Sequence, residues 1–565
     1  MKSLIRRIAL WSCLVASTAL SFAQNSKISP DLLGQMRSGS SGSVNIVVQY
    51  NSNSNSSSGG LLGLIDNLLG GLLNLISKLG GTVTQEFSSV PILSAVLPLN
   101  QIDALASDPS VAYISLDRQV AGTLDLSAAA SNADLAYQQG WTGAGVGIAI
   151  VDSGIYNHPD LASRIVYRQS FVPSKNLDDY GHGTHVAGIA AGSGEASSGA
   201  QYTHTFRGIA PAAKLIDLRV LDANGMSNDS IVIAAIDKAI SLKNQYNIRV
   251  LNLSIGRPIY ETYRLDPICA AVTAAWQHGI VVVVAAGNLG RDGYATITSP
   301  GNDPYAITVG AMKTEDTPQT IDDRIASYSS RGPTYIDLEV KPDIVAPGNL
   351  VRSLLAPGST LSQEYPQNIV PPSYYMQPGF SGPPEYFELS GTSMATPVVS
   401  GAAAILIQAQ PNLTPDTVKA RLMKSASKNF PLFSTATDPT TGQTYTDTYD
   451  IFTVGAGYLN ITAALADHDG TVGVALSPSV YWNSLFNLAF FVNPAGSTWN
   501  NSAWSLQSVW GPQVVQSLGG TSAAWGTSAA WGSSAAWGTS AAWGTSAAWG
   551  TSAAWGTSVD GEGED

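Results

Sequence analysis

The chain has 565 residues, of which 44% are hydrophobic and 12% are charged, and its formal net charge is −13. Such a length predicts roughly two to four structural units, and the apolar content is sufficient for a large buried core. The acidic balance excludes the positive electrostatic footprint of a nucleic-acid-binding protein, so no nucleic-acid partner is expected.

The N-terminus has the features of an export signal. Basic residues are followed by the apolar run "IALWSCLVASTALSFA", which ends in small residues before Gln24. This order predicts a Sec-type signal peptide over residues 1–23 and a secreted protein, with the medium and the cell envelope both open as its final site. Trp11 and a short apolar core disfavour lipoprotein processing at Cys13. Because Cys13 leaves with the signal, Cys269 stays alone and no intrachain disulfide is expected.

Residues 24–120 show the pattern of a small α+β domain. The apolar stretch 61–79 is long enough for a transmembrane helix. Its apolar residues recur at helical spacing with polar residues between them, which favours an amphipathic helix packed on a sheet. A predicted strand precedes it at 44–50, and a strand pair, a short helix and a last strand follow. The resulting order of strand, helix, two strands, helix and strand is ferredoxin-like.

From residue 121 the pattern changes to continuous apolar runs separated by helical stretches. Runs without alternation suit strands that are buried on both faces, as in a parallel sheet. We therefore predict an α/β domain with a largely parallel sheet over residues 121–466. In such sheets the active site lies at the carboxyl ends of the strands. The runs are "GVGIAIVD", "KLIDLRVL", "RVLNLSIG", "GIVVVVAAGN" and "YAITVGA".

Three residue types needed for nucleophilic catalysis lie at predicted element ends in this domain. Asp152 ends a buried strand, His182 opens a helix and Ser393 opens another helix. A serine hydroxyl becomes a good nucleophile when a neutral imidazole takes its proton, and a carboxylate holds that imidazole in the correct tautomer. Each residue alone has a structural explanation, such as Ser393 as a helix N-cap. Together they fill the roles of a catalytic triad.

The motifs around these residues resemble those of the subtilisin-like (subtilase) serine peptidases. "VDSGI", "HGTHVAG" and "GTSMATP" occur in the order Asp, His, Ser, with secondary matches such as "LNLSIG", "AAGN" and "KPDIVAPG". The similarity covers residues 129–465, and residues 24–120 resemble the family's inhibitory propeptide. The triad order argues against an α/β-hydrolase, in which serine comes first within G-x-S-x-G.

This resemblance implies a three-layer catalytic domain and a secreted endopeptidase of broad specificity that acts on proteins and peptides. It implies that Ser393 is the nucleophile, that His182 is the general base and then acid, and that Asp152 orients His182. Asn288 of "AAGN" would donate to the oxyanion together with the Ser393 backbone N–H. Two segments would wall the primary substrate pocket and pair with substrate as an added β-strand. These segments are Ser254, Ile255 and Gly256, and Ala285, Ala286 and Gly287.

The same resemblance leads to expectations about substrate specificity and maturation. Leu289 stands where an acid would attract basic side chains, and the pocket walls are small and apolar. We therefore expect a large apolar residue, such as Leu or Phe, before the scissile bond. Residues 24–120 are expected to act as an intramolecular chaperone and inhibitor, which the enzyme then removes by cutting within "LDRQVAGTLDL" (116–126).

No cofactor is expected for the chemistry, and no metal ligands are assigned. His185 lies three residues after His182, but two histidines without a nearby acid favour a structural role, as does the context of His158. Asp160 matches a calcium-ligand position in some family members, whereas the loop "SGEASSGAQYTHTF" lacks the usual calcium-loop pattern. Structural calcium elsewhere stays open, because oxygen ligands leave little trace in a sequence.

Three segments lie outside the resemblance or extend it. Residues 349–389 carry many prolines and aromatic residues, and either rim the cleft or form a surface loop. Residues 467–520 form a C-terminal extension, and residues 521–565 contain repeats of "TSAAWG" before an acidic end. The repeats are either a flexible low-complexity tail or a strand-forming tail whose aromatic face binds glycan, the cell envelope or another copy. A surface adhesion scaffold with incidental peptidase activity is the alternative function.

Overall fold

The computed structural model describes part of the chain, and the described residues fall into two compact units, Met1–Val120 and Ala121–Asp565. The predicted signal peptide and the "TSAAWG" repeats lie outside the described residues. The described residues are 27–28, 30–37, 42–51, 61–86, 92–116, 122–123, 127–315, 317, 319–438, 441–468, 473–483 and 488–492.

The first unit is built on an antiparallel sheet with strand order β2-β3-β1-β4. Leu72 and Ile76 of helix α2 share a core with Ile46 and Val48 of β1, so this helix packs on the sheet as its amphipathic spacing predicts. The order of strands and main helices is the one expected from the sequence. The elements are α1 (Pro30–Arg37), β1 (Ser43–Tyr50), α2 (Leu61–Lys78), β2 (Thr82–Glu86), β3 (Ile92–Pro98), α3 (Ile102–Ala106) and β4 (Val111–Leu116).

The second unit is an α/β structure around a mostly parallel sheet of order β13-β12-β11-β10-β6-β9-β7, with β14 beside β12. The strand pairs are parallel except β12 with β13. Its strands are β5 (Gly122–Thr123), β6 (Gly147–Asp152), β7 (Ile165–Ser170), β8 (His204–Thr205), β9 (Lys214–Arg219), β10 (Ile248–Leu253), β11 (Val281–Ala285), β12 (Ile307–Lys313), β13 (Arg324–Ile325), β14 (Ile344–Pro347), β15 (Val351–Leu354), β16 (Ile369–Val370), β17 (Tyr386–Leu389), β18 (Phe433–Thr437), β19 (Thr444–Thr448), β20 (Ser479–Asn483) and β21 (Leu488–Val492).

Helices of this unit pack in two pairs against the sheet. Helix α7 (His182–Ala191) pairs with α12 (Thr392–Ala409), and α8 (Asp229–Tyr246) pairs with α9 (Pro267–Gln277). The parallel α/β fold predicted from the continuous apolar runs is confirmed. The helices are α4 (Ser127–Ala130), α5 (Ala133–Gln138), α6 (Pro159–Ala162), α7 (His182–Ala191), α8 (Asp229–Tyr246), α9 (Pro267–Gln277), α10 (Thr360–Glu364), α11 (Pro372–Tyr375), α12 (Thr392–Ala409), α13 (Pro415–Ser425), α14 (Ile451–Val454) and α15 (Ile461–Ala466).

Helix α12 is the central helix of the second unit. Its residues from Thr392 to Ile407 are buried, and it contacts β10, β11, β12 and β14. Among the described helices it is the one that is long and apolar enough to cross a membrane by length and composition alone. Its burial against the sheet accounts for that composition, because a helix that is apolar on all sides suits a protein core.

Residues 349–389 form a small sheet of order β15-β17-β16 rather than a simple loop. Tyr386 is fully buried, and its ring lies 4.3 Å from that of Phe206 and 5.1 Å from that of Tyr375. This aromatic cluster joins the insertion to the segment that follows helix α7, so the buried side chains of the insertion belong to the packed core, whereas Phe380 is exposed.

The start of the C-terminal extension also packs on the second unit. The Ser477 N–H donates to the Pro304 carbonyl at 2.9 Å, and the Val480 N–H donates to the Leu338 carbonyl at 2.9 Å. The buried Ser477 hydroxyl donates to Asp343 Oδ1 at 2.6 Å. The chain therefore continues as part of this unit beyond the end of α15.

Candidate active site

Strand β6 and helix α7 bring the predicted acid and base together. Every residue of β6 is buried, and Asp152 ends the strand at the carboxyl edge of the sheet. His182 is the first residue of α7, and its Nδ1 lies 2.8 Å from Asp152 Oδ1. Because a carboxylate can only accept, Nδ1 carries the proton and Nε2 is left as the basic nitrogen. Both side chains are fully buried, so water does not compete for this contact.

Asp178 holds the beginning of α7, a role that the sequence analysis missed. Its carboxylate accepts hydrogen bonds from the Gly181 N–H at 2.8 Å and the Thr184 N–H at 2.9 Å. The Ser153 hydroxyl also donates to it at 2.8 Å and accepts from the Gly183 N–H at 2.8 Å. Burial raises the pKa of Asp178, and the hydrogen bonds oppose that rise. An acid shortly before a helix start was the available signal.

Ser393 is the second residue of α12 and is nearly buried, with 5% of its surface exposed. Its hydroxyl donates to the Ser254 carbonyl at 3.1 Å. Within the described residues, His182 Nε2 is buried and has no hydrogen-bond partner. The structure therefore forms the acid–base contact of the predicted triad, while the serine hydroxyl is turned toward the end of β10.

Asn288 lies against the beginning of α12. Its side-chain oxygen accepts from the Thr392 N–H at 2.9 Å and from the Thr392 hydroxyl at 3.0 Å. Its Nδ2 would lie 3.0 Å from a Cβ placed on Gly391, whose φ is 150°. Glycine is therefore required there, both by the backbone conformation and by the approach of the amide. The amide nitrogen is directed to the residues just before Ser393.

The two predicted pocket walls follow adjacent parallel strands, β10 and β11. Thr298, which the sequence analysis did not single out, lies between them. A Cβ on Gly256 would lie 2.5 Å from Thr298 Oγ1, and one on Gly287 would lie 2.8 Å from Thr298 Cγ2. The other wall residues are Ser254, Ile255, Ala285 and Ala286, all buried. Thr298 therefore occupies the space where the two walls approach each other.

His185 and His158 have structural surroundings. His185 Nε2 lies 3.0 Å from the Val351 carbonyl, and burial lowers the pKa of His185 to about 3. The ring is therefore neutral above that pH, and its Nε2–H can donate to that carbonyl. His158 Nδ1 accepts from the Asp160 N–H at 3.2 Å, so it caps helix α6.

The surroundings of Asp160 do not suit a calcium ion. Its Oδ1 accepts from the Ala196 N–H at 2.7 Å, and the Tyr386 hydroxyl donates to its Oδ2 at 3.4 Å. Calcium requires several oxygen ligands around the ion, whereas donors occupy this carboxylate. Across the described ranges, there is also no group of three or more His, Cys, Asp or Glu residues placed to hold a metal ion.

A parallel α/β unit with a buried Asp–His pair at a strand end, and a serine at the start of a core helix, has the architecture of a subtilisin-like hydrolase. Residues 143–457 match the family model Peptidase_S8, described as the subtilase family. This match spans more than half of the chain, and the chain belongs to the subtilase family. It is a serine endopeptidase, and its substrates are proteins.

Curated relatives agree with this assignment. Serine protease AprX of Bacillus subtilis (strain 168) is 40% identical over 357 residues, which cover 61% of this chain and 76% of that protein. Subtilisin E of the same organism is 34% identical over 362 residues, covering 63% and 80%. Among solved structures, the crystal structure of a cold adapted subtilisin-like serine proteinase is 28% identical, covers 51% of this chain and 85% of that chain, and has a TM-score of 0.38.

Proposed function

We propose that the protein is a secreted serine endopeptidase that uses Asp152, His182 and Ser393 as its triad. The 2.8 Å contact between His182 Nδ1 and Asp152 Oδ1 carries this proposal, because it leaves Nε2 free to accept a proton. In the proposed mechanism the Ser393 hydroxyl leaves the Ser254 carbonyl and donates to Nε2. The Ser393 oxygen then attacks the scissile carbonyl while its proton passes to Nε2.

Collapse of the tetrahedral intermediate completes the first half of the reaction. The C–N bond breaks, His182 returns the proton to the leaving amine, and an acyl-enzyme remains on Ser393. Water then takes the place of the amine: His182 Nε2 accepts its proton as its oxygen attacks the ester, the bond to the Ser393 oxygen breaks, and His182 returns the proton to that oxygen as the acid product leaves. In this proposal Asn288 Nδ2 and the Ser393 N–H donate to the oxyanion, which is supported by the hydrogen bond from the Thr392 N–H at the start of α12 to the Asn288 side-chain oxygen.

We propose that the enzyme cuts after large apolar residues. The walls 254–256 and 285–287 consist of small and apolar residues, and in this proposal an extended substrate pairs with them as an added β-strand. Thr298 lies between the walls and sets how deep a side chain can enter. A panel of chromogenic peptides in which Arg or Glu is clearly preferred over Leu and Phe would contradict this preference.

We also propose that residues 24–120 are a propeptide that the enzyme removes itself. Their described residues belong to a compact unit with its own core, and Gly122–Thr123, which pair with His204–Thr205, already belong to the second unit. A cut within 116–126 would separate the two units. Ser393→Ala should accumulate as an uncut precursor of full post-signal length. Processing of that purified variant at the same bond would exclude self-cleavage.

We propose that the residues from about 500 onward, here called the tail, are dispensable for peptide hydrolysis. The triad elements precede it, and the extension contacts the second unit through residues near Ser477 and Val480. A chain truncated after residue 500 should mature and cleave small peptides normally, with weaker retention at the cell surface. Loss of hydrolysis in a folded truncation would show that the tail belongs to the catalytic unit.

Labelling by an irreversible serine-directed phosphonate tests the proposed function. The matured wild-type chain should be labelled at Ser393, and Ser393→Ala should not. A matured wild-type chain that stays unlabelled and does not cleave peptides would favour the adhesion scaffold instead.

A further inference from the structure

A β-hairpin of the second unit, here called the acidic hairpin (residues 432–450), carries three buried aspartates. Strands β18 and β19 pair in antiparallel register from Phe433 opposite Thr448 to Thr437 opposite Thr444. The three aspartates of this hairpin are all buried; they are Asp438, Asp447 and Asp450. Buried carboxylates need partners, because their desolvation is otherwise unfavourable.

The partners come from the loop that follows Asn288 and from the segment beside it. Arg291 Nη1 lies 2.8 Å from Asp438 Oδ2, and its guanidinium lies 5.4 Å from the ring centre of Tyr445. The Tyr294 hydroxyl donates to Asp450 Oδ2 at 2.6 Å. Arg331 pairs with Asp447.

These contacts reach the oxyanion loop (residues 288–294) through a second set of bonds. The Leu289 N–H donates to the Ser330 hydroxyl at 3.0 Å, and the Gly290 N–H donates to the Tyr328 carbonyl at 2.7 Å. Arg291 Nε donates to the Ser327 hydroxyl at 3.0 Å. Arg291 therefore joins the acidic hairpin to the segment that holds Leu289 in place.

The oxyanion loop has little structure of its own. Beyond Asn288 its only regular element is the short turn Gly290–Asp292. Ser330 also borders the pocket wall, since a Cβ on Gly287 would lie 2.9 Å from its hydroxyl. A shift of this loop would move the Asn288 amide and the wall together, and such displacements reduce transition-state stabilisation strongly.

We propose that the Arg291–Asp438 pair makes the acidic hairpin a positioning element for Asn288 and for the Gly287 wall of the substrate pocket. The inference rests on the proposed function. Asp438 is more than 90% buried and Arg291 is 21% exposed, so the pair is shielded from solvent on one side. Arg291 and Asp438 do not touch the substrate in this scheme and act through the loop.

The test compares Asp438→Asn with Glu388→Gln, a matched control that removes the charge from the Arg352–Glu388 pair. That control pair has an N–O distance of 2.7 Å and lies on β15 and β17. We expect Asp438→Asn to lower kcat about tenfold and to change the ratio of kcat/KM between peptides with Phe and with Ala before the scissile bond. Glu388→Gln should change neither value, although both variants lower the melting temperature.

Asp438→Glu, which keeps the charge, should recover most of the lost kcat. If Asp438→Asn does not mature, Arg291→Lys serves instead, with a smaller loss of kcat expected. Unchanged kcat and unchanged Phe/Ala ratio in the folded variants would overturn the inference. If the wild-type enzyme hydrolysed no peptide and were not labelled by the phosphonate, that result would instead contradict the proposed function.

Discussion

Ser254 and Ser393 hold each other through two reciprocal hydrogen bonds. The Ser254 hydroxyl donates to the Ser393 carbonyl at 2.8 Å, and the Ser393 hydroxyl donates to the Ser254 carbonyl at 3.1 Å. One residue begins a pocket wall and the other carries the proposed nucleophile. The end of strand β10 and the start of helix α12 are therefore fixed to each other where the reaction is proposed to occur.

Ser254→Ala should lower kcat about tenfold with little change in KM. The change leaves the Ser393 carbonyl without this donor, and Asn252 Nδ2 loses an acceptor at 3.0 Å. Ser400→Ala is the control, because the Ser400 hydroxyl donates to Asn252 Oδ1 at 2.8 Å from farther along α12. Each variant should lose about 1–3 kcal/mol of unfolding free energy. Equal effects of both variants on kcat would contradict this prediction.

Asn288→Ala should reduce kcat about 10²–10³-fold while KM changes little, as for removal of an oxyanion donor. Steady-state kinetics on one peptide substrate measures this. Asn368→Ala serves as the control, since Asn368 donates to the Glu388 carbonyl at 3.0 Å in the insertion. A loss smaller than about tenfold would argue that Asn288 does not donate to the oxyanion.

Thr298→Gly should favour larger side chains before the scissile bond, because the threonine side chain lies between Gly256 and Gly287. We expect the ratio of kcat/KM for Phe over Ala peptides to rise about tenfold, comparable to the contribution of a buried methylene or two. Thr298→Val keeps the side-chain volume and should leave the ratio unchanged. If both variants shift the ratio alike, a polar contact rather than size controls the pocket.

A chelator should not change the melting temperature through the Asp160 site, where an N–H and an O–H donor take the place of a cation. Tyr386→Phe removes the hydroxyl that donates to Asp160 and lies 2.7 Å from Ser197 Oγ. This change should lower the free energy of unfolding by about 1–3 kcal/mol. Thermal melting of the Ser393→Ala background, with and without EDTA, avoids self-digestion. A large drop with EDTA that Asp160→Asn abolishes would show a calcium site there.

Glu339→Gln should stabilise the protein at alkaline pH. Burial raises the pKa of Glu339 from 4.5 to about 8, so between these values the native state keeps a proton that the unfolded state has lost. This group's favourable contribution is complete below pH 4.5 and is lost as the pH rises through 8. In the Ser393→Ala background, urea unfolding at pH 8.5 should show that Glu339→Gln raises the free energy of unfolding by about 1–3 kcal/mol. Exposed Glu364→Gln is the control, and an equal gain there would refute the assignment.

The sequence alone determined the local features. Continuous apolar runs indicated strands buried on both faces, and the parallel sheet of the second unit follows from them. Asp152 ends the first of these runs, so the sequence by itself predicts that it lies at the carboxyl edge of the sheet. The start of a helix was likewise readable at His182 and Ser393. These features depend on neighbours in the chain, which a sequence shows directly.

Only the tertiary structure decided which distant side chains meet. Asp178 looks like an ordinary helix-start acid until Ser153 and Thr184 are seen to donate to it. Thr298 has no motif of its own, and its place between the walls depends on the packing of separate loops. Contacts such as Arg291 with Asp438 join residues far apart in sequence. Hydrogen bonds and packing act over a few ångströms in space, so residue order alone does not specify them.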